Sequence, residues 1–120
     1  MAESLAVHFG SLATVANPGT ANGRQAQDLL GGDYGALRNR ISNSREIPAD
    51  AKACMTGAID AANQAMTTAV SDGTITPTER QDLVTRALSL GQRADGVVRA
   101  QNASPNAPVP GDTYRAILCK

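Results

Sequence analysis

Residues 72–79 read Asp-Gly-Thr-Ile-Thr-Pro-Thr-Glu, and they join two segments whose apolar residues recur at helical spacing. Asp72-Gly73 is a turn signal. Thr76, Pro77 and Glu79 stand where an N-cap, a first-turn proline and a capping-box partner belong. Two helices joined by so short a connection lie antiparallel, so the chain is built on a helix hairpin, 48–70 and 77–101. In the first helix, Ala51, Met55, Ile59, Ala62, Met66 and Val70 share one face, while Lys52, Thr56, Asp60, Asn63 and Thr67 lie opposite. In the second, Leu83, Ala87, Leu90, Ala94 and Val98 form a stripe widened by Val84, Leu88 and Val97. Gly91 and Gly96 inside it mark close helix contact, a kink, or an earlier end near residue 95.

The flanks read as further helix. Leu5, Phe9, Leu12 and Ala16 suit a helix over residues 4–16 capped by Ser4, although Leu5, Val7 and Phe9 also alternate as in a strand. Residues 17–23 carry loop punctuation. Residues 24–30 form a short helix that Gly31-Gly32 ends. Asp33 caps another, with Tyr34, Leu37 and Ile41 on one face. The expected fold is therefore an all-α bundle. Its helical domain spans residues 1–101, followed by a Pro/Asn-rich linker over 102–112 and an apolar tail over 113–120.

Composition narrows the function classes. Eleven basic and eleven acidic side chains cancel, so the chain as a whole has no strong draw to nucleic acid or to an anionic membrane. Leu, Ile, Val and Phe make up 22 of 120 residues, and there is one Phe, two Tyr and no Trp. The core must be thin and rich in alanine, and such a domain gains from a partner or from self-association. No apolar run approaches the length of a membrane span. The first basic residue is Arg24, the wrong pattern for a secretory leader. A cytoplasmic protein, or one held in a larger assembly such as a virion, is expected. Cys54 and Cys119 are far apart and form no zinc motif. They are either one disulfide tying the tail to the hairpin or two buried free thiols, and the thiols are the simpler expectation.

Candidate sites are sparse. Residues 72–79 resemble the second half of an EF-hand calcium loop, with Gly73 at the invariant glycine, Ile75 at the apolar position, Asp72 at the fifth position and Glu79 at the bidentate one. Its first and third positions fall on Thr68 and Val70, and valine has no ligand atom. A turn and capping box account for the same residues without a metal. Arg38, Arg40 and Arg45 form a small basic cluster, and Arg86 and Arg93 share a helix face; nucleic-acid binding through them is disfavoured by the neutral total and the lack of stacking aromatics. Gly31-Gly32-Asp33-Tyr34-Gly35 lacks the spacing of a phosphate loop. His8 is the only histidine and sits off the apolar face. No cofactor or catalytic constellation is expected. Tyr114, Ile117 and Leu118 make the tail a segment that either docks on the body or reaches a partner. The sequence thus points to a non-enzymatic interaction or assembly protein of the kind found in bacterial or phage systems, whose partner is another protein or itself. A small nucleic-acid-binding regulator stands second, and a degenerate calcium-binding hairpin third.

Overall fold

The computed structural model describes residues 22–71, 75–103 and 105–119. They form four helices, α1 (Asn22–Asn43), α2 (Ala49–Ser71), α3 (Pro77–Ala103) and α4 (Gly111–Leu118), with no strand among the described residues. The bundle is all-α, as its periodicity requires. The expected helix over 4–16, His8 and Asp72-Gly73-Thr74 lie outside the described residues.

α2 is the central element and packs against each of the other three. Its face of Ala51, Met55, Ile59, Ala62 and Met66 is buried to within two per cent of complete. The final member of the face shifts: Ala69 is buried and Val70 only half so. Pro48 lies just outside this helix, and its carbonyl accepts the first helical bond, from Lys52 N–H. α1 runs antiparallel to α2. Gln27 Nε2 donates to Thr67 Oγ1, Arg38 pairs with Asp60, and Lys52 Nζ donates to the Ser42 carbonyl.

The loop expected to run to residue 23 gives way to helix at Asn22, and the break expected at Gly31-Gly32 does not occur: α1 passes straight through. Leu30, Tyr34, Leu37 and Ile41 explain why. They sit at steps of four, three and four residues, and all are buried against the core. Burial of that stripe outweighs the intrinsic cost of glycine, about 1 kcal/mol for each interior position. Gly32 is exposed, and a side chain there would meet nothing within 4 Å. Gly32→Ala should therefore stabilise the protein by roughly 0.5–1 kcal/mol. Gly96 of α3 is the contrasting case. A Cβ there would stand 2.9 Å from Cγ2 of Ile117 on α4. Gly96→Ala should gain nothing or lose stability, and urea titration of the two variants would separate them.

α3 starts as its sequence prescribes. Glu79 N–H donates to Thr76 Oγ1 at 3.1 Å, and Thr76 N–H donates back to Glu79 Oε1 at 2.9 Å. Both donors would otherwise lack helical partners. Thr76→Ala should cost about 1 kcal/mol by urea denaturation. The helix then continues through Gly91 and Gly96 to Ala103, burying Leu83, Ala87, Leu90, Ala94 and Val97. Val97 rather than Val98 completes the buried stripe, and Leu88 faces outward.

The expected linker is taken up by helix at both ends. α3 takes its first two residues, α4 its last two, and Val109 between them is buried in the common core. Gly111 begins α4 close against Pro48, whose ring carbon would lie 3.1 Å from a Cβ at that position.

Candidate functional site

The densest polar chemistry among the described residues gathers where α4 meets α2 and α3. Tyr114 is fully buried, yet its hydroxyl donates to Glu46 Oε2 at 2.9 Å and accepts from Gln101 Nε2 at 3.3 Å. One side chain thus joins the α1–α2 connector, α3 and α4. Arg115, one residue on, points to the other side of α4. Its Nε donates to Asp50 Oδ2 at 2.7 Å and its terminal nitrogen to Asp112 Oδ1 at 2.8 Å. Asp50 also accepts from the N–H of Ala51. The Arg115 bond, aided by that backbone bond, holds the Asp50 carboxyl below the usual carboxylate range. Leu118 is fully buried. Cys119 closes the helix with a disulfide to Cys54 on α2, across a Cα–Cα distance of 5.1 Å.

This overturns the expectation of two buried free thiols. Cys119 lies at the surface and Cys54 is half-buried; with α4 docked, the two meet at the edge of the core rather than inside it. It also answers where the tail goes. Tyr114 and Leu118 belong to the same apolar cluster as Met55 and Ile59, so neither faces a partner while α4 is in place. Ile117 is only half-buried and borders an open hollow on α3.

The other candidates are not brought together. Arg38 lies against Asp60 of α2 through two bonds, Nε to Oδ1 at 3.0 Å and a terminal nitrogen to Oδ2 at 3.2 Å. Arg40 and Arg45 are exposed. The calcium-loop alignment fails at its first half, because Thr68 and Val70 lie inside α2. Glu79, its bidentate position, is bonded to the Thr76 amide instead. Among the described residues no three His, Cys, Asp or Glu side chains cluster as metal ligands would. Gly31-Gly32 and Gly35 are helix interior, which leaves no loop to cradle a phosphate.

Glu46 and Gln101 carry no sequence signal, since nothing in a connector glutamate or a late helical glutamine announces a shared tyrosine. Arg115 had a trace of one, because Asp112 precedes it at i,i+3. Beside this junction, Glu46 and Gln101 border a hollow of about 600 Å3 under the 105–109 turn.

Both tyrosines are held protonated. Burial pushes the Tyr34 phenol up to about 12, against a smaller opposite pull from the Arg86 charge. Burial also raises Tyr114, and the Glu46 carboxylate adds to this while the Gln101 bond works against it. A group raised in this way lends stability that is complete below the unfolded phenol's ordinary 10 and is lost as pH climbs through the folded value, about 12 for Tyr34. For Tyr34 this amounts to about 2–3 kcal/mol across that window. The chain has no Trp, so phenolate absorbance reads these two groups directly. Its rise should come at higher pH in the native protein than in urea, and Tyr34→Phe should flatten the alkaline loss of stability. Native titration near 10 for both would contradict this.

The chain matches no protein-family model, no curated protein and no solved structure.

Proposed function

We propose that this protein is a non-enzymatic interaction or assembly module, a small helical scaffold that works through its surface. The observation that supports it best is how the polar groups at the α4 junction are engaged. Tyr114, Glu46 and Gln101 bind one another, Arg115 binds Asp50 and Asp112, and Cys54 is bonded to Cys119. Apart from Arg115–Asp112, which lies within α4, each of these contacts holds one segment of the scaffold to another. The thin core adds to the reading: Ala51, Ala62, Ala69, Ala87 and Ala94 fill positions where larger side chains would bury more. A partner or a second copy would supply further burial.

The disulfide bears on where this happens. Such bonds persist in oxidising compartments and on virion or cell surfaces, and are rare in the cytosol. An assembly-bound or exported setting therefore fits the chain better than a cytoplasmic one. No helix among the described residues is long and apolar enough to cross a membrane. The nucleic-acid reading has less to stand on, since the chain is neutral as a whole and both tyrosines are buried, out of reach of a stacking base.

Light scattering on the oxidised full chain, from micromolar to millimolar concentration, tests the proposal together with a photocrosslinking residue at exposed Leu88. Concentration-dependent association, or one stoichiometric protein adduct in the source cells, is expected. A monomer throughout with no such adduct would overturn it.

A further inference from the structure

We infer that the outer surface of α3 that winds from Arg86 through Arg93 to Arg99 is a docking surface for an acidic segment of another protein. The inference deepens the interaction role proposed above and rests on it. Two hollows adjoin along this helix. One, of about 230 Å3, lies between Arg86 and Arg93 over Ala58, Ala61 and Leu90. The other, of about 420 Å3, lies between Arg93 and Arg99 beside Gly96 and Ile117. They share Ser89 and Arg93, so they adjoin as a trough that winds part of the way round α3 over roughly 20 Å of helical rise, thirteen residues.

Charge sets this trough apart. The chain is neutral as a whole, yet three arginines and no Asp or Glu line the two hollows. Arg86 gives its Nε to Asp82, which stands outside the lining, and Arg93 has interactions of its own within the protein. The exposed Arg86–Asp82 pair is of a weak kind that exchanges readily for an incoming carboxylate. Guanidinium forks bind carboxylates with two parallel bonds.

The floor selects the class of partner. Small apolar groups, Ala58 and Ala61, lie at one end, and Ile117 lies at the other. That floor suits the aliphatic side chains of a peptide. No aromatic side chain lines either hollow, so a nucleic acid finds no stacking surface there.

The test is fluorescence anisotropy of a labelled peptide with Glu and Leu at helical spacing, titrated with the oxidised full chain at low salt. Saturable binding that weakens with salt is expected. Arg93→Gln with Arg99→Gln should weaken it about tenfold, from one half-buried and one exposed charge contact. Gln92→Glu, an exposed position that leaves every arginine in place, should weaken it by about threefold. Thermal melts by circular dichroism establish that each variant is folded. Equal affinity in wild type and folded Gln92→Glu would overturn the inference. So would tighter binding of a labelled DNA duplex that the same substitutions abolish. If the peptide fails to bind while light scattering or crosslinking finds association, this surface is wrong and the interaction role stands. Failure of both removes both.

Discussion

Replacing Cys54 and Cys119 together by alanine should lower the free energy of unfolding by about 2–4 kcal/mol. The bridge spans 65 residues of sequence, which include most of α2 and all of α3 and α4. In the unfolded chain it therefore removes a large loop-closure entropy, and the chain-entropy relation puts the upper figure near 4 kcal/mol for a loop of this length. Against a total stability of roughly 5–15 kcal/mol for a domain, that is a large share. The folded state should survive the loss. The burial of Tyr114 and Leu118 and the pairing of Arg115 with Asp50 rest on contacts that do not involve the bridge. Urea denaturation of the double variant, or of the wild type with reductant, should show a lower midpoint and an intact helical signal before the transition. An unchanged midpoint would mean that the bridge does not form or does not constrain the unfolded chain.

Ile59→Ala should cost about 2–5 kcal/mol, the range for truncating a fully enclosed aliphatic side chain. Ile59 has no exposure and sits on the helix that touches all the others. The upper half of the range is favoured by its surroundings. Ala62 and Ala87 are already minimal, so neighbouring side chains have little length with which to fill the space. Leu88→Ala is the control: Leu88 is 37% exposed and should cost well under about 1 kcal/mol. Both are read by urea titration with the disulfide intact. Equal losses at the two positions would show that the assigned face of α2 is not the centre of the core.

Much of this fold was legible before any coordinates. The all-α class rests on periodicity, and the capping box of α3 on local chemistry, in which Thr76, Pro77 and Glu79 need only one another. The faces of α2 and α3 follow from periodicity. What escaped reading depends on residues far apart. Glycine at 31 and 32 is locally a break, and only packing of Leu30 and Tyr34 on α2 carries the helix across it. The segment 102–112 is proline-rich and polar, yet Val109 anchors it and α4 claims its end. The pairing of Cys54 with Cys119 depends on where α4 docks, as does the joining of Glu46, Gln101 and Tyr114. The site was least legible of all. Arg86 and Arg93 could be placed on one face by spacing, but Ala58 and Ala61 from α2 and Ile117 from α4 enter the trough only through tertiary packing.

The account turns on α4 being a built-in part of the scaffold, which leaves partner recognition to the outer faces. Native-state hydrogen exchange at the amides of Tyr114, Leu118 and Cys119 tests this most directly. An isolated helix of 8 residues has almost no stability in water, so protection there reports docking alone. Protection comparable to that of Met55 and Ile59 is expected in the oxidised protein. Exchange at the rate of an unfolded peptide would mean that α4 stands free, and that Tyr114, Ile117 and Leu118 are offered to a partner after all.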